Sequence, residues 1–349
     1  MEKTENQRHT WQGFQHGVNL GGWLSQCNHT RERYDTFIRE EDIGRIASWG
    51  LDHIRVPVDY ELVEDEQGGY REEGFAILAR VIGWCRAAGL NMVLDLHKTY
   101  GFSFDCHEGE SGLFGNPACQ ERFWRLWEQF ATRFGGDRDM LAFELLNEVT
   151  DQAYAASWTR IADTCISRIR AIAPDIDILV GSYWNNSIDA LPDLEAPKDA
   201  HVIYNFHCYD PIVFTHQGAP WVQGMDRGFR FSLDRPMADL AAETEAFLGE
   251  KPEDFEGLNL DEPLSQAYFD RRFAKAVAVA AERGVRLYCG EYGVIDRARP
   301  EDALTWYRAI SSAFDAAGIG RAAWSYRQMD FGLVDDAMKG VFEQVVKLL

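Results

Sequence analysis

Two segments of the 349-residue chain end an apolar run on a glutamate. One is "FELLNEV", carrying Asn147 and Glu148. The other is "LYCGEYGV", where Glu291 stands between two glycines. Ionised carboxylates are rarely buried without a partner, so two such ends point to one shared polar site. Two carboxyl groups of unequal pKa are what glycoside cleavage needs: one protonates the leaving oxygen, the other attacks or activates water. Other apolar runs end in the same way. Arg55 lies in "HIRVPV", His97 closes "NMVLDLH", His207 and Tyr209 close "HVIYNFHCY", and Trp324 closes "RAAWSYR". Arg55 beside Glu291 would keep that carboxylate ionised. Glu148, flanked by apolar residues and near a negative Glu291, would be the protonated partner. Trp324 offers a flat face to a sugar ring, and Trp23, Trp184 and Trp221 are further candidate platforms.

Taken singly, each residue has an ordinary explanation: a structural ion pair, a hydrogen-bonded core histidine, a packed tryptophan, a helix cap. Their joint placement depends on the elements that carry them. Short apolar runs alternate with helical patterns throughout. In "EEGFAILARVIGWCRAAG", Phe75, Leu78, Ile82 and Cys85 repeat at helical spacing, with Gly89 as the stop. In "NPACQERFWRLWEQFATRFGG", Asn116 caps, Pro117 sits in the first turn, and Phe123, Trp127, Phe130 and Phe134 share a face. Eight strand-like runs, most followed by a helix, predict a single α/β domain over residues 1–349, a (β/α)₈ barrel in which all strand C-termini open on one face. An open doubly wound sheet would carry a glycine-rich phosphate loop after its first strand, and "NLGGW" is too short for one. One segment breaks the alternation. Residues 211–263 are rich in Pro, Gly and acids, and read as a partly helical subdomain inserted on the rim between strand six and its helix.

A net charge of −21 disfavours nucleic acid and anionic membranes as partners and suits a neutral ligand such as a polysaccharide. The polar N-terminal stretch "MEKTENQRHTWQGFQ" has no apolar signal region, and seven scattered cysteines form no CxxC pair. Both features lead us to expect a cytoplasmic, reducing setting, or an extracellular one if a signal has been removed. His97, Cys106, His107 and Glu108 are close in sequence, but no HExxH or paired-cysteine spacing accompanies them, so no metal and no cofactor are expected.

The motifs "IRVP", "LDLH", "LLNEV", "NFHCYDP", "CGEYGV" and "AAWSY" resemble those of glycoside hydrolase family 5, whose barrels carry catalytic glutamates after strands four and seven. The likeness runs from "GVNLGGWLSQ" to "WSYRQMDFGLVD", and "LGGW" and "FTHQGAPW" are similar to endoglucanases of the cellulase C type. The resemblance implies a retaining, endo-acting hydrolase of β-1,4 and mixed-linkage β-glucans, with Glu148 as acid/base and Glu291 as nucleophile. It also implies that Asn147 binds the sugar 2-hydroxyl, that His207 lies near Glu148, that Arg55 and Tyr209 hold Glu291, and that His97 lines the site. A β-1,3-glucanase or β-mannanase on the same scaffold, and a non-catalytic carbohydrate-binding barrel, are the alternatives. Many relatives carry a second histidine after "DLH"; here it is Lys98, which changes the sugar contacts on the minus side.

Overall fold

The computed structural model describes residues 10–105, 112–250 and 252–349. Eight parallel strands close into a barrel in sequence order: β1 (His16–Asn19), β2 (His53–Asp59), β3 (Asn91–Lys98), β4 (Leu141–Glu144), β5 (Asp177–Gly181), β6 (Val202–Cys208), β7 (Arg286–Tyr292) and β8 (Gly320–Ala323). Every residue of β2 and of β6 is buried, as expected for strands covered on both sides. The covering helices are those predicted. Glu72–Ala88 ends at Gly89, whose φ of 73° suits a residue without a Cβ. Pro117–Phe134 is capped by Asn116, whose side chain accepts from the Ala118 amide, and its predicted aromatic face is buried. A short helix, Phe342–Val345, closes the chain.

The inside of the barrel is built in layers. Side chains alternate along a strand, so every second residue points inward. The lowest layer is apolar: Val93, Ala142, Leu179, Ile203, Tyr288 and Ala322 form a cluster with Trp11 and Phe14. Those last two rings stack at 3.9 Å. His53 joins this layer, with its Nε2 2.7 Å from the Tyr288 hydroxyl. Two residues further along the same strands come Arg55, Asp95, Glu144 and Asn205, and the core turns from apolar to ionic.

Between β6 and the helix Gln266–Arg283 lie the short helix Ile212–Thr215 and the helix Met237–Leu248, the latter matching the helical piece read inside 211–263. Ile212, His216, Trp221 and Val222 from this segment reach the open cleft at the C-terminal end of the barrel. No helix among the described residues is long and apolar enough to cross a membrane.

Candidate active site

Arg55 is the third residue of β2, not its end, and its guanidinium rises into the middle of the barrel, completely buried. Its Nε and Nη2 grip both oxygens of Glu144 at 2.7 Å each. Nη2 also meets Asn147 Oδ1 and Asp95 Oδ2, each at 3.0 Å. Nη1 donates to Asn19 Oδ1 at 2.9 Å and to Glu291 Oε1 at 2.8 Å. A planar fork of five donors is what such a multi-acceptor site requires. Burial works against the charge on Arg55, but Asp95, Glu144 and Glu291 outweigh it and hold its pKa well above the ordinary value. Burial in turn pushes Asp95 up to about 7, against the pull of Arg55, and raises Glu144 as well.

Glu291 owes its position to a break in strand register. In the β6–β7 ladder Phe206 pairs with Cys289, and the next pair is His207 with Glu291, so β7 gains one residue at Gly290. The step re-aims Glu291 into the barrel, where simple alternation from Tyr288 would turn it outward. The two flanking glycines have a packing cause. A Cβ on Gly290 would stand 2.8 Å from Asn205 Oδ1, and one on Gly293 would stand 2.4 Å from the Trp324 carbonyl oxygen. Tyr209, just beyond β6, donates its hydroxyl to Glu291 Oε2 at 2.9 Å.

Glu148 lies four residues past β4, with its backbone in the left-handed region at φ 44°. Few residues other than glycine adopt this conformation, and such strain concentrates at functional sites. Its Oε1 is 2.7 Å from His207 Nδ1, and its Oε2 accepts from Asn185 Nδ2 at 2.9 Å. Burial raises the Glu148 pKa above the usual glutamate value, while the Asn185 hydrogen bond, His97 and Arg55 pull the other way. Of the two causes the sequence suggested, apolar surroundings and the charge of Glu291, burial is the one that acts here. Burial also pushes His207 down to about 4 and lowers His97, so both rings are neutral near pH 7. One ligand-type atom from each of Glu148, His207 and Glu291 lies within 4.8 Å of the others.

All of these groups meet at a cleft of about 840 Å³ lined by His97, Glu148, His207, Tyr209, Glu291 and Trp324 among others. His97 Nδ1 is 2.6 Å from Asp95 Oδ2, and its ring lies parallel to Trp324 at 5.7 Å. Asn147 is buried and its Nδ2 has no hydrogen-bond partner, a donor held ready beside the two acids. Trp184 and Trp221 are 50% and 43% exposed and both line the cleft, as platforms should. Trp23 is a correction. It is fully buried, stacks on Trp84, and donates its Nε1 to the Tyr34 carbonyl at 3.0 Å. It belongs to the core, because the "LGGW" turn folds it under the rim. Lys98 turns to Glu61 Oε1 at 2.6 Å. Cys106, His107 and Glu108 lie outside the described residues.

The residues that sequence reading missed are the supports. Asp95 and Glu144 are charged positions inside otherwise apolar strands, in phase with the inward-facing Val93 and Ala142. That phase was a usable signal. Asn185 had none of this kind, since it sits in a left-handed run, Trp184 to Asn186, with φ between 51° and 57°.

Comparison with known proteins agrees with this geometry. The family model described as cellulase (glycosyl hydrolase family 5) matches residues 5–330. Cellodextrinase A of Ruminococcus flavefaciens is 47% identical over 309 residues, covering 88% of this chain and 84% of that protein. Endoglucanase C of Acetivibrio thermocellus is 34% identical over 340 residues, covering 96% of this chain and 98% of that protein. Among solved structures, Cel5A of Thermotoga maritima in complex with cellobiose superposes with a TM-score of 0.74 at 23% identity, covering 98% and 99% of the two chains, and so shares the fold. The chain belongs to glycoside hydrolase family 5 and is a glycoside hydrolase.

Proposed function

We propose that the protein cleaves β-1,4 bonds within β-glucan chains, cellodextrins and mixed-linkage β-1,3-1,4-glucan included, by a retaining double displacement. The observation that carries this reading is the pair of carboxyl groups. Glu148 and Glu291 present oxygens within 4.8 Å of each other, and a retaining pair stands about 5–5.5 Å apart, whereas an inverting pair leaves roughly 6.5–9.5 Å for a water. Their surroundings divide the labour. Glu291 accepts from Arg55 and Tyr209, which fix the orientation of its two oxygens for nucleophilic attack. Glu148 is desolvated, with its pKa raised, and shares a short contact with a neutral imidazole, an environment that favours a proton donor.

In the first step Glu291 attacks the anomeric carbon. The glycosidic bond breaks, and Glu148 gives its proton to the departing oxygen. In the second step Glu148 takes a proton from water, whose oxygen displaces Glu291 and restores the β configuration. Asn147 Nδ2, buried without a hydrogen-bond partner, would donate to the sugar 2-hydroxyl, where hydrogen bonds strengthen in the transition state. The names of the cellodextrinase and endoglucanase relatives support a β-glucan substrate. For the cellular setting we infer a reducing compartment, supported by six free thiols among the described residues.

Product analysis on cellotetraose, lichenan, laminarin and mannan tests the reading. Internal cleavage of the first two is expected. Exclusive action on laminarin or mannan would overturn the β-1,4-glucan assignment, and binding without release of product would overturn catalysis.

A further inference from the structure

Away from the catalytic pair, the end of β2 carries a second cluster of ligand-type groups. His29, Asp59 and Glu61 each offer one such atom, and these atoms lie within 4.8 Å of one another. The arrangement is oriented from outside. The Gln26 amide donates to Asp59 Oδ2 at 2.9 Å, Lys98 Nζ is 2.6 Å from Glu61 Oε1, and His29 Nδ1 is 2.9 Å from the Tyr34 hydroxyl. With Nδ1 engaged there, Nε2 faces the carboxylates, 3.2 Å from Asp59 Oδ2. A metal-binding histidine is held in this way, its second nitrogen fixed by a hydrogen bond that sets tautomer and ring angle.

A histidine–aspartate ion pair does not account for the whole cluster. Asp59 is 3% exposed, and its Oδ1 is buried with no hydrogen-bond partner; Glu61 Oε2 is likewise buried and unpartnered. Buried polar atoms are nearly always satisfied, so two orphaned carboxylate oxygens beside one imidazole call for an occupant. Two carboxylates face one lysine ammonium and the His29 imidazole, whose Nε2 an ion would take over from its proton. His29 and Glu61 also line a separate cavity of about 410 Å³, which gives an ion a route from solvent.

We propose that His29, Asp59 and Glu61 form a binding site for a divalent first-row metal ion, with Zn²⁺ the best fit. One imidazole nitrogen and two carboxylate oxygens, with water in the fourth position, match the donor set and number that Zn²⁺ accepts. The ion serves structure and not the hydrolytic chemistry. It ties the loop after β1 to the end of β2, beside Gln26 at the edge of the cleft.

The test uses the full untagged chain, stripped with chelator and titrated with ZnCl₂ by calorimetry. Wild type should bind one equivalent at this site and melt at a higher temperature when loaded. Asp59→Asn and Glu61→Gln should each weaken binding at least tenfold and abolish the thermal shift. Glu61 is only partly buried, so its variant keeps the test informative if Asp59→Asn folds poorly. Glu291→Gln is the control for the catalytic cluster and should leave this equivalent in place. Absence of binding at millimolar Zn²⁺ would overturn the proposal. So would a bound equivalent that survives Glu61→Gln and Asp59→Asn and disappears in Glu291→Gln.

Discussion

Glu148 and Glu291 approach each other within 4.8 Å although they come from opposite sides of the barrel, and each is held by a different chemistry. Glu291 leans on a cation and a phenol, Glu148 on an imidazole and an amide. That difference makes their roles separable by experiment. Glu291→Ala should lower kcat by roughly 10⁴-fold or more. Azide should then enter the space left and give an α-glycosyl azide from an activated β-cellobioside. Glu148→Ala should spare the first step on substrates with good leaving groups and yield a β-glycosyl azide. Proton NMR of the first product from wild type should show the β anomer; an α anomer would refute retention.

The alkaline limb of kcat/KM should belong to Glu148, since loss of its proton disables the acid. Asn185 stabilises the carboxylate form by hydrogen bonding to Oε2, which lowers the pKa. Asn185→Gly removes that donor and suits the left-handed backbone there. The pKa should rise, and the alkaline limb should move to higher pH. A shift in the opposite direction would sink this assignment.

Arg55 should resist even its conservative replacement. Lysine cannot reproduce the fork that spans Glu144, Asn19, Asn147 and Glu291. Breaking a buried ion pair from one side costs about 3–5 kcal/mol. Arg55→Lys should therefore lose both stability and activity, with Tm falling by roughly 4–7 °C. Differential scanning calorimetry decides it, and a melting point within two degrees of wild type would count against the network.

The tryptophans should separate into two classes. Trp184→Ala and Trp221→Ala should raise KM on long cellodextrins by roughly three- to tenfold, with little change on an aryl cellobioside, as expected for stacking of about 0.5–1.5 kcal/mol. Trp23→Ala should instead destabilise the fold by about 3–5 kcal/mol. Steady-state kinetics and thermal melts on the three variants test the division.

This division also shows where the sequence was legible. His97, Asn147, Glu148, His207, Tyr209, Glu291 and Trp324 were readable because a parallel barrel converts strand endings into neighbours, whereas Arg55 joins them from within β2 through its long side chain. The eight strands were readable because strands covered on both faces leave long apolar runs. Trp23 was misread because a tryptophan after a glycine pair looks the same whether the turn folds it under the rim or out over the cleft. Asn185 was missed because a left-handed turn has no periodicity to betray it. Glu144 was quoted within its strand and still passed over, although its inward phase marked it as a partner for Arg55. The register step at Gly290 could not be anticipated, since it arises from pairing between two strands and not from either one alone.

The ionic layer around Arg55 has a consequence for how this chain can change over time. Asp95, Glu144 and Glu291 each depend on the same guanidinium, so loss of Arg55 strands all three in a medium that cannot solvate them. Substitutions at these positions are therefore epistatic: a change tolerable in company is damaging alone. A descendant that abandoned hydrolysis could not shed the arginine ahead of its acids to gain a greasier, sturdier barrel without first crossing a valley of unstable intermediates. The same bonds that hold Glu291 in place also hold the lineage to its chemistry.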